Sequence, residues 1–262
     1  MHLKHLLFDV AGGIARITIN RPNEANALHL EAMQELHRCA IACHNDRGVR
    51  AVLMTGAGKM FCSGGDLKFF RAQGAKVADA ILQMTAHFHA AVSLLARLRA
   101  PTVCAVNGTA AGGGLSLAIC NDLVFAAESA RFTMAYTAAG LVPDGSSTWF
   151  LPRLVGMRRA RELMLTNRVL SAREAYEVGI ADRVLPDAEL MAAAEQQAAA
   201  FAAGPNGAYA AVKRLLADSF QQSLEGQMEQ EARAIAELAP RPDAQEGLAA
   251  FSERRKPRFS GE

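Results

Sequence analysis

Paired cysteines, long apolar runs and an excess of charge of one sign are all missing from this sequence of 262 residues. The five cysteines form an odd set without a Cys-x-x-Cys pair, so no disulfide framework is expected. The 28 basic and 26 acidic residues nearly balance, which argues against a nucleic-acid-binding protein. No apolar run reaches the roughly 20 residues that cross a bilayer. These absences, with no signal-peptide pattern in MHLKHLLFDV, predict a reduced cytoplasmic protein with neither nucleic acid nor membrane as a partner.

Metal-ligand patterns are missing as well. His37, Cys39, Cys43 and His44 are close in sequence, but they spread around a helix instead of converging on one face. We therefore expect no metal site.

What the chain does contain is enough apolar sequence for a core, since 51% of its residues are hydrophobic. Short apolar strands alternate with helical patterns through the first 200 or so residues, which predicts an α/β fold with a parallel sheet. The alanine-rich later part is interrupted at GPNG, residues 204–207. This break predicts a core of residues 1–203 and a helical region of residues 204–262. Strands are expected at 14–19, 51–55, 102–106 and 123–127, and helices from residue 30, over 75–98, and from the glycine triplet to residue 119.

Two glycine-rich loops each follow a predicted strand. The first glycine loop, residues 56–70, contains CSGGD, and the second, residues 107–114, ends in the triplet GGG before a helix. Bare backbone at such places exposes N–H groups, and two loops can aim two N–H groups at one oxygen. If that oxygen belongs to a thioester, the pair stabilises an enolate or oxyanion. Phosphate-loop, dinucleotide and Gly-x-Ser-x-Gly patterns do not fit, and plain strand-to-helix turns remain an equal alternative for the glycines alone.

The motifs NRPNEANAL, FCSGGDLK, PTVCAVNGTAAGGGLSLA, GLVPDGSSTWFLPRLVG and FSERRKPRF, in this order, resemble the crotonase (enoyl-CoA hydratase/isomerase) superfamily. The resemblance covers nearly the whole chain. It implies a spiral of ββα units with a helical C-terminal region that assembles into trimers or hexamers. It also implies an acyl-CoA thioester as substrate, no separate cofactor, and an oxyanion hole formed by the amides of Gly65 and Gly113.

The same resemblance implies that two glutamates of the family's hydratases are replaced in this sequence. Hydratases of this family carry two glutamates where this sequence has Ser116 and Tyr136, so ordinary hydration is not expected. Asp144, in LVPDGSS, stands where double-bond isomerases and ring-opening isomerases of the family have an acidic residue. The resemblance therefore implies movement of a double bond from the 3 to the 2 position with Asp144 as the acid/base. Pro-Asp-Gly is also a turn sequence, and Asp144 has the alternative of capping the next helix.

His89 supports a second possibility. In aryl-CoA dehalogenases of the family a histidine base stands at the corresponding place, and an aspartate nucleophile aligns with Asp144. Gly65, Asp66 and Tyr136 depart from that pattern, because bulky aromatic residues and a tryptophan stand there in the dehalogenases. A third possibility is a relative that binds acyl-CoA without chemistry.

Several further side chains are candidates for binding the substrate. Aromatic residues near the loops are candidates for lining an acyl pocket, although core packing explains them equally well. Lys256 resembles a basic residue of the family's tail that approaches the nucleotide end of CoA, sometimes from a neighbouring subunit; a solvated charge run is the alternative. The candidates are Ser63, Asp66, Leu67, Phe69, Tyr136, Trp149 and Lys256.

Overall fold

The computed structural model describes residues 1–261; Glu262, the last residue of the predicted helical region, lies outside the described residues. The strands are β1 (Leu6–Ala11), β2 (Ile14–Ile19), β3 (Ala51–Gly56), β4 (Thr102–Val106), β5 (Thr109–Ala111), β6 (Leu123–Ala127), β7 (Arg131–Thr133), β8 (Leu170–Ser171) and β9 (Arg183–Leu185). The helices are α1 (Leu30–Asn45), α2 (Leu67–Ala72), α3 (Val77–Ala96), α4 (Gly113–Ile119), α5 (Ser147–Val155), α6 (Met157–Thr166), α7 (Ala172–Glu177), α8 (Leu190–Ala202), α9 (Asn206–Asp218), α10 (Leu224–Leu238) and α11 (Pro242–Ser252).

The main sheet has six strands in the order β1-β2-β3-β4-β6-β9. Only β1 and β2 pair antiparallel, as a hairpin turning at Gly12 and Gly13, and every other neighbouring pair is parallel. In parallel neighbours the loops that follow the strands leave from one edge. The loops after β3 and β4 therefore start side by side, and these are the two glycine loops.

A second, three-stranded sheet pairs β5 with β7 in parallel and β7 with β8 antiparallel. It contains the middle of the second glycine loop, because β5 is residues 109–111 of that loop. The middle of the second glycine loop is therefore a strand, which lies between the end of β4 and the start of α4.

The predicted α/β class with a largely parallel sheet is confirmed, and the strands expected at 14–19, 102–106 and 123–127 have those bounds. The long helix expected over 75–98 is shorter at both ends, since α3 is Val77–Ala96. At its N-terminal end a 3-10 turn, Gly74–Lys76, precedes it. Strand β1 was not predicted from the sequence. Its burial pattern shows mostly exposed residues, as suits an edge strand, so it lacks the apolar alternation of a half-buried strand.

The predicted break at 204–207 falls between α8 and α9. Helix α8 belongs to the core side of this break: it packs against β3 and β4, and Glu195 forms a 2.7 Å ion pair with Arg16 of β2. Across the break, Arg50 Nε donates to Asn206 Oδ1 at 2.9 Å. The division into a core and a separate oligomerisation region stays a prediction. No helix among residues 1–261 is long and apolar enough to cross a membrane.

The buried cysteines predict that the protein loses stability in alkali. Burial raises the pKa of Cys39, Cys43, Cys62 and Cys120 to about 12, and it also raises the pKa of Cys104 well above its ordinary value. An unfolded thiol ionises near 8.5, so this contribution is complete below that pH and is lost as pH rises towards the folded pKa. Above about pH 8.5, we expect the free energy of unfolding to fall by up to about 1.4 kcal/mol per pH unit for each buried thiol.

Urea unfolding followed by circular dichroism at pH 7, 8, 9 and 10 with a reductant present measures this fall. Equal unfolding free energies at pH 8 and pH 10 would contradict it.

Candidate active site

Strand-like hydrogen bonds join the two glycine loops directly to each other. Cys62 N–H donates to Thr109 O at 3.1 Å, and Ala111 N–H donates to Cys62 O at 2.9 Å. Cys62 and Ala110 thereby form an isolated parallel bridge, with both side chains buried. A Cβ built on Gly114 would lie 2.2 Å from Cys62 O, so only glycine allows α4 to begin this close to the first glycine loop.

A second isolated bridge fixes the direction of the Gly65 amide. Leu28 N–H donates to Gly64 O at 2.7 Å, and Asp66 N–H donates to Leu28 O at 3.0 Å. In a strand-like segment successive N–H groups alternate in direction, so the Gly65 N–H points away from Leu28. Among the residues described, the Gly65 N–H has no protein acceptor.

The second expected donor, the Gly113 amide, lies beside Gly64. A Cβ built on Gly64 would lie 2.9 Å from Gly113 N, and Gly64 itself has a φ of +93°. Gly113 is the first residue of α4, where helix amides have no partner within the helix. The two amides named in the sequence analysis, those of Gly65 and Gly113, are therefore brought to one place, as an oxyanion hole requires.

Asp144 lies in the same region, in contact with Ser116 and Tyr136, the two residues that the sequence analysis sets against the family's glutamates. Tyr136 Oη donates to Asp144 Oδ1 at 2.5 Å. Ser116 Oγ donates to the backbone oxygen of Asp144 at 2.9 Å and lies 3.1 Å from Tyr136 Oη. The same Tyr136 hydroxyl also lies close to Gly113, because a Cβ built on Gly113 would lie 3.6 Å from Tyr136 Oη.

The alternative in which Asp144 caps the next helix is wrong. Helix α5 begins at Ser147, and its N-cap, Ser146, makes no side-chain capping bond. The Asp144 backbone oxygen accepts from Ser147 N–H at 3.2 Å, but the carboxylate faces Tyr136 and His89 instead. The turn therefore uses the main chain of Asp144 and leaves its side chain available.

His89 reaches the same carboxylate from α3. Its Nε2 lies 3.4 Å from Asp144 Oδ2, and it accepts the Gly145 N–H at 3.2 Å. Because a backbone amide only donates, Nε2 presents a lone pair in this arrangement. The His89 side chain is half exposed, so solvent reaches it. His87, two residues earlier, instead faces His37, with their Nδ1 atoms 3.4 Å apart.

Tyr136 remains a proton donor throughout the working range of most enzymes. Burial, followed by the neighbouring Asp144 charge, raises the pKa of Tyr136 far above its ordinary value. Its phenol is therefore a neutral hydrogen-bond donor to Asp144. The sequence analysis treated Ser116 and Tyr136 as replacements of glutamates, and Tyr136 also as a candidate for binding the substrate, whereas in the structure both contact Asp144.

Phe88 and Gly145 also shape the site, and the sequence analysis named neither. The Phe88 ring is fully buried, and its Cε1 lies 3.6 Å from a Cβ built on Gly113 and 2.4 Å from one built on Gly145. Gly145 has a φ of +59°, so glycine is required there by both conformation and space. The Pro-Asp-Gly sequence signalled this turn, but nothing in the sequence pairs it with Phe88.

Of the candidates on the first glycine loop, most have side chains with a structural role. The Asp66 carboxylate caps α2 by accepting Phe69 N–H at 3.0 Å, and it pairs with Arg21 Nη2 at 3.4 Å. Leu67 is exposed, Ser63 is half-buried, and the Phe69 ring lies edge-on to His29. The Phe70 ring lies beside Gly65, because a Cβ built on Gly65 would lie 2.9 Å from Phe70 Cζ.

Trp149 contacts Arg153, and Lys256 lies on the C-terminal tail. The Trp149 ring stacks under the Arg153 guanidinium, 3.9 Å from the ring centroid. Lys256 lies with Arg255, Arg258 and Glu246 in an open surface cavity formed by the C-terminal tail. A role for Lys256 in CoA binding therefore stays a prediction.

One cluster of potential metal ligands lies outside this site. His5, His29 and Glu31 each offer one ligand atom within 4.8 Å of the others. However, His5 Nε2 already contacts Glu31 at 3.0 Å, and His29 Nδ1 caps α1 by accepting Ala32 N–H at 3.3 Å. A neutral His29 whose Nδ1 accepts carries its proton on Nε2, which makes it a poor ligand as it stands.

Tyr136→Phe is expected to lower kcat by about tenfold or more, because a hydrogen bond to a charged group contributes roughly 1.5–3 kcal/mol. The change removes only the hydroxyl that donates to Asp144. Steady-state kinetics on an acyl-CoA substrate measures the effect. Tyr176→Phe, at an exposed position on α7, is the matched control and is expected to leave kcat unchanged. An active Tyr136→Phe enzyme would mean that this hydrogen bond has no part in turnover.

Comparison with known proteins identifies one family. Residues 9–262 match the family model for enoyl-CoA hydratase/isomerase. The chain is 36% identical over 261 residues to 1,2-epoxyphenylacetyl-CoA isomerase of Escherichia coli, covering 99% of each chain. It is 34% identical over 248 residues to 4-chlorobenzoyl coenzyme A dehalogenase-2 of an Arthrobacter species, covering 94% of this chain and 90% of that one.

A solved structure gives the same result for the fold. The enoyl-CoA hydratase of Bacillus anthracis superposes with a TM-score of 0.92 at 31% identity, covering 99% of this chain and 100% of the other. The three relatives carry three different reaction names, so similarity identifies the shared acyl-CoA chemistry and not the reaction. The expected crotonase-type fold is confirmed, and the chain belongs to the enoyl-CoA hydratase/isomerase family, that is, to the crotonase superfamily.

Proposed function

We propose that this acyl-CoA enzyme is a 3-to-2 enoyl-CoA isomerase with Asp144 as its acid/base. The observation that carries the proposal is that the two family glutamate positions hold hydroxyls, Ser116 and Tyr136, and that both hydroxyls contact Asp144. A single carboxylate beside two amide donors is sufficient for moving one proton along a thioester enolate.

In the proposed reaction the Gly65 and Gly113 amides hold the thioester oxygen. Asp144 removes a proton from C2, the C–H electron pair forms the enolate, and the amides stabilise the negative charge on oxygen. Asp144 then returns the proton to C4, the double bond moves to C2–C3, and the carboxylate is regenerated. No water is added, and no co-reactant is consumed.

Incubation with a 3-enoyl-CoA in deuterated water tests the proposal. Conjugation of the product is followed by ultraviolet absorbance, and mass spectrometry detects any addition of water. We expect the 2-enoyl isomer with no water added, and deuterium at C4 or C2 reports exchange at the base. Absence of both conversion and exchange would remove the isomerase assignment for linear substrates.

A second candidate reaction is supported by the 3.4 Å contact between His89 Nε2 and Asp144 Oδ2. In dehalogenase-like hydrolysis, Asp144 attacks an aryl carbon and displaces halide, and water then cleaves the aryl ester while His89 takes its proton. His89→Ala separates the two reactions. It is expected to leave an isomerase largely active and to stop hydrolysis of a halogenated benzoyl-CoA after the ester forms. Binding of acyl-CoA without any turnover would instead indicate an inactive relative.

We also propose that the helical region 204–262 mediates assembly into a trimer or hexamer. Helices α9 to α11 and the turn after α9 expose several large apolar side chains, which a partner would cover. Light scattering of the purified protein measures the oligomeric state. The exposed residues are Val212, Leu216, Phe220, Leu224, Met228, Ile235, Leu248 and Phe251.

A further inference from the structure

We propose a second ligand site, for a compact molecule with two or more linked phosphate groups, in a cavity between the core and the C-terminal helices. The cavity has a volume of about 610 Å³, within the usual range for small-molecule sites. Loops of the core form one wall, and α9, α10 and the start of α11 form the other. Five arginines line it, namely Arg47, Arg50, Arg99, Arg214 and Arg241.

The charge in this cavity is strongly one-sided. Glu237 is the one carboxylate in its lining, and it already pairs with Arg241 at 2.6 Å. Among residues 1–261, no carboxylate lies within ion-pair distance of Arg47, Arg99 or Arg214. Guanidinium groups gathered in this way favour anions with several oxygens, because each can donate two parallel hydrogen bonds to a phosphate.

Arg50 gives the cavity a fixed positive group. Its side chain is half-buried, and it donates to Asn206 Oδ1, to Gly204 O and to Phe259 O at 2.9, 2.9 and 3.3 Å. All three acceptors are neutral, so the hydrogen bonds orient the guanidinium without cancelling its charge. A partly desolvated charge without a counter-charge is costly, and a bound anion would remove that cost.

Two helix N-termini border the cavity. Gly207, in the first turn of α9, and Pro242, the first residue of α11, both line the cavity. Neither helix has a side-chain cap bond at its N-terminus. The partial positive charge of a helix N-terminus attracts phosphate, so α9 acts in the same direction as the arginines, whereas the buried Asp243 carboxylate in the first turn of α11 offsets that helix and accepts from Ser260 and Gly261.

The site is separate from the proposed catalytic one. Arg47 and Arg50 precede β3 and Arg99 precedes β4, whereas the glycine loops follow these strands. A six-residue strand spans roughly 20 Å, so the two sites lie at opposite edges of the sheet. A ligand in the cavity would bridge the core loops and the helices α9 to α11.

Isothermal titration calorimetry with pyrophosphate, and separately with ADP, tests the site. Arg99→Ala and Arg214→Ala are each expected to weaken binding by about tenfold or more, because each removes a charged donor. Arg233→Ala is the matched control: it also lies on a helix of this region, on α10, but is exposed and paired with Glu229 outside the cavity. Asp144→Asn is expected to bind pyrophosphate like the unchanged protein. Circular dichroism verifies that each variant is folded.

Binding of both probes that is weakened by Arg99→Ala and by Arg214→Ala supports a general diphosphate site, and tighter binding of ADP with the same dependence supports a nucleotide as the source; binding unaffected by either substitution would overturn the proposal. No binding of either probe at millimolar concentration would overturn the proposal. Equal weakening by Arg233→Ala would also overturn it, because the effect would then reflect net charge. Loss of ADP binding in Lys256→Ala but not in Arg99→Ala or Arg214→Ala would place the nucleotide on the C-terminal tail and overturn it too.

Discussion

Asp144→Asn is expected to lower kcat for isomerisation by about 10²–10⁴-fold while leaving acyl-CoA binding nearly unchanged. The amide keeps the size of the side chain and can still accept the Tyr136 hydrogen bond, but it cannot take up and return a proton. The turn itself survives, because it uses the backbone oxygen of Asp144. Kinetics with a 3-enoyl-CoA gives kcat, and calorimetry with a saturated acyl-CoA gives affinity.

Asp79→Asn is the matched control for this prediction, since Asp79 is exposed in the first turn of α3 and has no ion pair among the described residues. It is expected to leave both kcat and binding unchanged. If Asp144→Asn loses binding and turnover together, Asp144 is a structural residue and the isomerase proposal fails. Full activity of Asp144→Asn would show that the base is another group.

Gly64→Ala is expected to lower kcat by about 10²–10³-fold, the usual result of removing one oxyanion donor. The added Cβ would lie 2.8 Å from Ala111 O and 2.9 Å from Gly113 N, both of them backbone atoms. The two glycine loops must then move apart, and the Gly65 and Gly113 amides no longer converge. The φ of +93° adds backbone strain, so a loss of stability is also expected.

Gly140→Ala separates the strain from the lost geometry. Gly140 also has a positive φ, +70°, but nothing lies within 4 Å of a Cβ built there. We expect Gly140→Ala to be less stable than the unchanged protein by roughly 1–2 kcal/mol and to keep its kcat. Thermal unfolding and steady-state kinetics on both variants measure the two effects. A Gly64→Ala enzyme with unchanged kcat would contradict the two-amide oxyanion hole.

Much of this site follows from local sequence signals. Each glycine loop stands after a strand and before a helix, and parallel pairing of β3 with β4 is enough to bring both loops to one edge. The sequence pattern and the resemblance together therefore identify the amides of Gly65 and Gly113 as candidate oxyanion donors. The edge strand β1 and the short strands β5, β7, β8 and β9 are not identified in this way, because strands of two or three residues and exposed edges carry little periodic signal.

The contacts among side chains of distant segments were beyond sequence reasoning. Ser116, Tyr136 and Asp144 come from α4, from the loop after β7 and from the loop before α5, and nothing local pairs them. The resemblance indicated that both glutamates are replaced, but not that the two hydroxyls contact Asp144. The capping alternative for Asp144 could be rejected only when the helix start at Ser147 and the direction of the carboxylate were known.

The bridges at Cys62–Ala110 and Leu28–Gly65 have a consequence for how such an enzyme can change its reaction. They fix the two amide donors through main-chain bonds, which do not depend on side-chain identity. In the proposed mechanism Asp144 moves the proton, and the side chains at positions 89, 116 and 136 contact it; all four positions lie on other segments. Substitutions at those four positions can alter the chemistry while charge stabilisation is inherited unchanged. A protein engineer could therefore exchange them as a set, and the main-chain scaffold would tolerate the exchange.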